Sequence, residues 1–394
     1  MFWHPIETFL FRAGSRNAFD EMRLTGEAPR NMGLLCGQSA DDLRFDGQPT
    51  ITCSDNVAHH LSRVDPTAVM SVPLWMIRQL LERRMFDSAR LRDHWYVVIV
   101  DGTVQEKCLA GHSDGKTASN GARYRYVLRA QLLGPKGRTF PLMHEFMDMH
   151  DPVADKEDCE LNAFVRLSAE LKRAFPHLPI CIVGDALYAC ERVIRICAQY
   201  QWKYVLTLKE GRQPTTWDEL LRLLPLNRAN HLRLHPAPLQ DQILQDFRWV
   251  ENLMLGDLQT NVILLGEAGL KTACLYAYAT SFSDLTPKSV PTIVLGAGRK
   301  RSLIEDAFNT EKNHGIGLEH VFCANANAAK NYFAMMMVAQ IIWNLLCYGC
   351  LKRLYHWARD ATAQGLARAI WDGFRAFRLP TDLPPIGQIR FSSD

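Results

Sequence analysis

Residues 95–101 read Trp-Tyr-Val-Val-Ile-Val-Asp, and residues 180–185 read Ile-Cys-Ile-Val-Gly-Asp. Each run is apolar and rich in β-branched side chains, which is typical of a strand that is buried on both faces of a sheet. Each run also ends in an aspartate. If the two strands are adjacent and parallel, Asp101 and Asp185 lie at the same edge of the sheet, where two carboxylates form the outline of a metal site.

The segments around these two strands predict the rest of the sheet. Gly and Pro at 134–137 separate two strand-like runs and indicate a hairpin. The predicted elements, in order, are strands 95–100, 124–133 and 138–146, helix 158–175, strand 180–183, helix 186–199 and strand 204–208. This β-β-β-α-β-α-β order predicts an α/β fold with a mixed sheet flanked by helices, and it resembles the ribonuclease H-like fold.

Changes in hydrophobic period divide the whole chain into five segments. The predicted division is a helical N-terminal region at 1–92, the first part of a ribonuclease H-like catalytic domain at 93–208, a β-rich insertion at 209–292, a helical completion of the catalytic domain at 293–355, and a C-terminal tail at 356–394. For the N-terminal region, a DNA-binding module and a simple packing appendage both remain open.

Composition limits the classes of protein that the chain can belong to. With 394 residues, 47% of them apolar, the chain can bury a sizeable core, which excludes wholesale disorder and a fibrous repeat. The 45 Lys and Arg nearly balance the 42 Asp and Glu, so any contact with nucleic acid must rest on local basic clusters. An odd number of cysteines, eleven, and a start unlike a secretory signal predict a reducing cytoplasm.

One stretch, residues 332–350, is apolar enough to raise the question of a membrane span. Gln340 and Asn344 lie inside it, and nothing else in the sequence has a membrane character. A helix that is apolar on all sides is also what the centre of a large soluble domain requires. We therefore predict a buried core helix and no membrane partner.

A third acidic residue is predicted on a helix near residues 301–312. At about 100° per residue, a band roughly 60° wide contains Arg301, Glu305, Phe308 and Lys312, whereas Glu311 points about 120° away from Glu305. A carboxylate for a metal, flanked by two cations for phosphates, suits phosphodiester chemistry. The alternative interpretation is an ordinary surface pair between Arg301 and Glu305, and the alternative for Asp185 is a cap of the following helix.

Together, Asp101, Asp185 and Glu305 resemble the acidic triad of DDE transposases. The spacing Arg301-x3-Glu305-x6-Lys312 is similar to the Y-x2-R-x3-E-x6-K signature of bacterial insertion-sequence transposases, which carry a β-strand insertion before the glutamate. The resemblance favours a transposase over the other enzymes that contain paired acids.

The resemblance covers roughly residues 95–350 and departs from the signature at two positions. Gly298 occupies the position of the tyrosine, and Ser302 stands where many relatives have tryptophan. The tyrosine is associated with the DNA end in the family, so its replacement leaves open whether hairpin intermediates form.

The resemblance implies cleavage of double-stranded DNA at terminal inverted repeats, followed by strand transfer into target DNA. Asp101, Asp185 and Glu305 would be the catalytic residues and would hold two Mg²⁺ or Mn²⁺ ions. Arg301 and Lys312 would bind DNA phosphates. The protein would act as a dimer on DNA, in the cytoplasm and on the nucleoid.

Two other functions remain open. One is a ribonuclease H-like nuclease that cuts without strand transfer, against which the long insertion and the Arg-Glu-Lys helix argue. The other is a catalytically inactive DNA-binding protein derived from a transposase, which Gly298 keeps in consideration.

Overall fold

The computed structural model describes residues 1–38, 51–107, 116–117, 123–147, 156–235, 243–269, 273–352 and 355–381. The helices in this part of the chain are α1 (Trp3–Leu10), α2 (Arg16–Met22), α3 (Ala28–Leu35), α4 (Ser54–Leu61), α5 (Pro66–Glu82), α6 (Lys156–Ala174), α7 (Glu191–Gln199), α8 (Pro214–Leu223), α9 (Ser289–Gly296), α10 (Ser302–Asn313), α11 (Ala326–Asn344), α12 (His356–Arg359) and α13 (Ala363–Ala376). The strands are β1 (Tyr96–Lys107), β2 (Lys116–Thr117), β3 (Arg123–Leu133), β4 (Thr139–Phe146), β5 (Ile180–Gly184), β6 (Lys203–Leu208), β7 (His231–Leu234), β8 (Leu244–Leu255), β9 (Leu258–Ala268) and β10 (Ala273–Thr280).

The strands form one mixed sheet in the order β2-β3-β1-β5-β6-β10-β9-β8-β7, with β4 also paired to β3. Strand β5 runs parallel to both β1 and β6, and the other pairs are antiparallel. Helices cover the sheet on both faces, because alternate residues of the central strands belong to two different apolar clusters. The prediction of an α/β fold with a mixed sheet flanked by helices is therefore confirmed.

Strand β1 is longer than predicted, because it continues through Asp101 to Lys107. The prediction that Asp101 ends its strand is wrong. The polar residues that follow Asp101 remain in the sheet because β3 pairs with them. In particular, Glu106 lies opposite Arg125, and the two form a buried ion pair.

The segment after β5 is less helical than predicted. The prediction of a helix from residue 186 is wrong at its start, because residues 185–190 form turns and α7 begins only at Glu191. The ring of Tyr188 packs against Gly184, where an added Cβ would lie 2.8 Å from the ring. This turn carries the chain around the edge of the sheet directly after Asp185.

The strands within 209–292 extend the central sheet instead of forming a second one. Strand β10 pairs with β6, and β9, β8 and β7 follow outward from it. The segment 356–394 contains α12 and α13 before its last residues, 382–394, which lie outside the described residues. Trp371 of α13 packs against Phe11 and Phe19, so the two ends of the chain share one small apolar cluster.

Helix α11 occupies the centre of one apolar cluster. Together with the π-helical turn Leu345–Leu351 that continues it, α11 is long and apolar enough to cross a membrane, but most of its side chains are buried in the protein. It packs against α1, α4, α5 and β4. The N-terminal helices are thus part of the same core as the sheet.

Candidate active site

Asp101 and Asp185 lie next to each other on one face of the sheet. The parallel pairing of β1 with β5 runs from Tyr96 opposite Ile180 to Ile99 opposite Val183. Asp101 and Asp185 each follow the last of these pairs by two residues, Asp101 still within β1 and Asp185 just after the end of β5. The charge of Asp185 acts on Asp101, so the structure brings together the two aspartates that the sequence singles out.

Asp101 is the more strongly perturbed of the two aspartates. Burial, together with the nearby charges of Glu160 and Asp185, raises the pKa of Asp101 to about 7, against the opposing effects of Arg301 and of the Gly102 amide. The Gly102 amide donates a hydrogen bond of 2.9 Å to Asp101 Oδ1. A carboxyl group with its pKa near neutrality inside an acidic cluster is a recognised mark of a functional site.

Asp185 caps a turn and does not cap a helix. The amide of Leu187 donates a hydrogen bond of 2.8 Å to Asp185 Oδ1. The residue at the N-terminus of α7 is instead Cys190, whose side chain makes no capping bond. Asp185 therefore does not cap α7.

Helix α10 brings the predicted cation and the third acid to this place. Arg301, immediately before α10, has one guanidinium nitrogen 3.8 Å from Asp101 Oδ2 and another 2.5 Å from Glu305 Oε1. One arginine thus links the two carboxylates. The Glu305 side chain is 53% exposed, so the surface pair that the sequence leaves as an alternative does exist, and it is located directly beside Asp101.

Lys312 lies away from the aspartates. It follows Glu305 by seven residues, roughly 10 Å along the helix axis. Its amino group pairs with Glu319 at 2.7 Å. The structure therefore does not bring Lys312 together with Asp101, Asp185 and Arg301.

Glu311, the other glutamate of α10, belongs to a buried ion pair with Arg129 of β3. Arg129 lies directly opposite Asp101 in the β1–β3 ladder and also donates a hydrogen bond of 3.0 Å to Gln340 of α11. Its guanidinium lies between the rings of Phe308 and Phe333. These contacts fasten α10 to the sheet, and the sequence analysis does not identify Arg129.

Glu160 of α6 is the second functional candidate that the sequence analysis misses. It is buried near Asp101, on the other face of the sheet below Gly102, where an added Cβ would lie 2.7 Å from the Glu160 carboxyl. The hydroxyl of Tyr188 donates a hydrogen bond of 2.7 Å to Glu160, and burial together with this cluster raises the pKa of Tyr188 well above its usual value. The sequence does contain a signal for Glu160, because this acidic residue lies on the apolar stripe of α6 with Phe164 and Leu167.

Packing explains why a glycine stands at position 298. A Cβ added to Gly298 would lie 2.7 Å from the ring of Tyr278, which is buried on β10. Any larger residue there would have to displace this ring. The glycine that stands in place of the signature's tyrosine therefore leaves room for the ring of Tyr278.

The chemistry of the acidic residues suits a hard divalent cation, because carboxylate oxygens are the ligands that Mg²⁺ prefers. In the described residues, however, their side chains do not converge as the ligands of a metal ion would. Within the described residues, no group of three His, Cys, Asp or Glu side chains converges closely enough to hold a metal ion. The carboxylate of Glu305 is paired with Arg301 instead of joining the two aspartates.

Comparison with known proteins provides no family for this chain. No protein-family model matches the sequence, and a search of curated proteins found no match.

Proposed function

We propose that this protein is a DDE transposase, which cleaves DNA at the ends of an element and transfers the cut strand into target DNA. The observation that carries the proposal is the meeting of Asp101 and Asp185 on one sheet face beside the Arg301–Glu305 pair of α10. The raised pKa of Asp101 supports it, because a bound cation would stabilise the charged form of a crowded carboxylate.

The order β4-β3-β1-β5-β6 supports assignment to the ribonuclease H-like fold. In this order, an antiparallel meander is joined to two parallel strands that the chain reaches through α6 and α7. Acids at the ends of such parallel strands face a shared crevice, where ligands bind in open α/β sheets.

In the proposed reaction, Asp101, Asp185 and Glu305 would hold two Mg²⁺ or Mn²⁺ ions. The chemistry supplied there would be activation of a water or 3′-hydroxyl and stabilisation of the leaving oxygen of an in-line displacement. Arg301 binds the DNA phosphate beside the scissile bond, since its planar guanidinium matches a phosphate in a bidentate manner. Transfer of Arg301 from Glu305 to the phosphate releases the Glu305 carboxylate toward Asp101.

The partner is double-stranded DNA, first as terminal inverted repeats and then as target. Lys312, on the last turn of α10, binds a phosphate further from the scissile bond than Arg301 does. Because two DNA ends must be joined to one target, the active form is a dimer on DNA. We place the protein in the cytoplasm and on the nucleoid, which agrees with the free thiols of the described cysteines.

The decisive experiment incubates the purified protein with Mg²⁺ and the DNA that flanks its own coding region, and maps breaks and joints by sequencing. Wild type should cut at inverted repeats and join the ends to a target. Asp101→Asn, Asp185→Asn and Glu305→Gln should each lose at least about a hundredfold in cleavage. Asp306→Asn, which neutralises an exposed neighbour on α10, is the matched control and should keep full activity.

Two other outcomes would reject the proposal and select an alternative. Breaks that depend on Asp185 without joining would identify a nuclease. Binding of the flanking DNA without cleavage by wild type, under Mg²⁺ or Mn²⁺, would identify an inactive DNA-binding protein.

A further inference from the structure

A cavity of about 220 Å³ lies beside α10, on a different face of this helix from Glu305. Leu303, Ala307 and Thr310 form one wall, and the turn at 137–139 forms a second. The third wall comes from α11 and its π-helical continuation. This cavity contains none of the acids of the candidate active site.

Two arginines line the cavity, and each is held by an aromatic ring. The guanidinium of Arg12 lies 4.5 Å from the centre of the Trp343 ring, and that of Arg138 lies 3.7 Å from the centre of the Tyr348 ring. Among the residues that the structure describes, neither arginine forms an ion pair, and one guanidinium nitrogen of Arg12 donates to the carbonyl oxygen of His314. Stacking on a ring fixes the plane of a guanidinium and leaves its remaining edge N–H groups able to donate.

The cavity also contains two buried donors without acceptors among the described residues. They are Nε of Arg12 and Nε2 of Gln340. The Gln340 side chain is nine-tenths buried, and its carbonyl oxygen already accepts from Arg129, so its NH₂ group is left for the cavity. A buried donor that lacks an acceptor is costly, and a ligand rich in acceptors would remove this cost.

The acids at the cavity do not cancel this donor surface. Glu311 is paired with the buried Arg129, and its charge also acts on Arg12. Asp306 lies at the exposed rim, where its charge is solvated. The interior therefore presents two guanidinium groups against one carboxylate that is already paired, together with two buried N–H donors that lack acceptors among the described residues.

We infer that this cavity is a binding site for an oxyanion of the phosphate class. Arg12 and Arg138 supply charge-assisted hydrogen bonds from two sides, and Gln340 donates from the floor. The anion is either free phosphate or a phosphate of a nucleic acid backbone. The site does not depend on the proposed function, because its residues are separate from Asp101, Asp185 and Glu305.

Calorimetric titration of the full chain with inorganic phosphate, at constant ionic strength, tests the inference. Arg138→Met keeps the length of the side chain over Tyr348 and removes its charge, so phosphate affinity should fall by about tenfold or more. Ala307→Leu fills the cavity without changing any charge and should also abolish binding. The matched control is Arg78→Met, which removes an arginine that lies over Phe175, outside the cavity.

Binding by wild type and Arg78→Met, with loss in both cavity variants, would support the site. Absence of phosphate binding by folded wild type at millimolar concentration, or equal binding by Arg138→Met and Ala307→Leu, would overturn it. A parallel titration with a short DNA duplex distinguishes the two sources. An equal loss of duplex affinity in the cavity variants would assign the site to backbone phosphate, and an unchanged duplex affinity would assign it to the free anion.

Discussion

Glu305 and Glu311 are the two glutamates of α10, and each faces one arginine in a different environment. Glu305 is half exposed and contacts Arg301, which also approaches Asp101. Glu311 is 3% exposed and contacts Arg129, which is fully buried between two aromatic rings. The two pairs have the same chemistry but opposite access to water.

Because of this difference in exposure, the Arg129–Glu311 pair holds α10 in place, whereas the Arg301–Glu305 pair can exchange partners. A buried pair is costly to break, because either partner alone is an uncompensated charge in a medium of low polarity. An exposed pair contributes little and can be replaced by other partners. One helix can therefore be anchored through Glu311 and remain free to present Glu305 to a ligand.

The largest effect is expected where the buried pair is broken. Arg129→Met leaves Glu311 buried without its cation, and the free energy of unfolding should fall by about 3–5 kcal/mol. The double variant Arg129→Met/Glu311→Leu should recover most of this loss, because it removes both charges. Equilibrium denaturation in urea measures both values.

If Arg129→Met does not fold, Glu311→Gln provides the same test with a neutral side chain that still accepts a hydrogen bond from Arg129. A cost below about 1 kcal/mol in either single variant would mean that Glu311 reaches water and that the two pairs of α10 do not differ.

A smaller effect is expected at Asp101, where the pH dependence has a definite sign. The folded protein favours protonated Asp101, since the pKa of this group is raised from 3.8 to about 7. The free energy of unfolding of wild type should therefore fall between pH 4 and pH 7. Asp101→Asn lacks this penalty and should be more stable than wild type at pH 8, by up to about 4 kcal/mol for a shift of about three pKa units.

Denaturation of both proteins at pH 4 and pH 8 measures this difference, which should vanish at the lower pH. The exposed Asp306→Asn is the control and should change stability by less than about 0.5 kcal/mol at either pH. Equal stability of Asp101→Asn and wild type at pH 8 would show that the cluster does not penalise the charge of Asp101.

A divalent cation should relieve the same penalty. With free Mg²⁺ at about ten times its dissociation constant, wild type should gain about 1.4 kcal/mol. Asp101→Asn and Asp185→Asn should gain much less, because each lacks one carboxylate. Thermal unfolding with Mg²⁺, with Ca²⁺ and with chelator measures the shifts, and equal gains in all three proteins would place the cation elsewhere.

The smallest effect is expected from the exposed pair. Arg301→Met should change the free energy of unfolding by no more than about 1 kcal/mol, because its partner Glu305 is open to solvent. Denaturation under the conditions used for Arg129→Met makes the two pairs directly comparable. A cost as large as that of Arg129→Met would mean that Arg301 also anchors α10, which would argue against its transfer to phosphate.

The sequence predicts the aspartate pair because its signals are local. Uninterrupted apolar runs before Asp101 and Asp185 indicate central strands, and the observed parallel register sets the two residues side by side. The helical position of Glu305 likewise follows from spacing alone. The fold class, the hairpin and the buried character of α11 are also accessible in this way.

Features that depend on partners distant in sequence escape the same analysis. Arg129 follows an ordinary strand pattern, and its partner Glu311 lies 182 residues further along the chain. The extension of β1 beyond Asp101 depends on Arg125, which compensates the charge of Glu106. The turn after Asp185 has apolar residues that suit a helix, but the Asp185 carboxylate accepts from the Leu187 amide and the ring of Tyr188 packs on Gly184.

The sheet joins segments that are far apart in the chain, and this has a consequence for folding. Tyr96 pairs with Ile180, 84 residues further along, and Val205 pairs with Thr280, 75 residues further along. Such non-local pairing requires large loops to close, and it slows folding. Both aspartates precede α10 in the chain, so a chain that terminates before residue 301 contains the two acids with neither Arg301 nor Glu305 to complete the site.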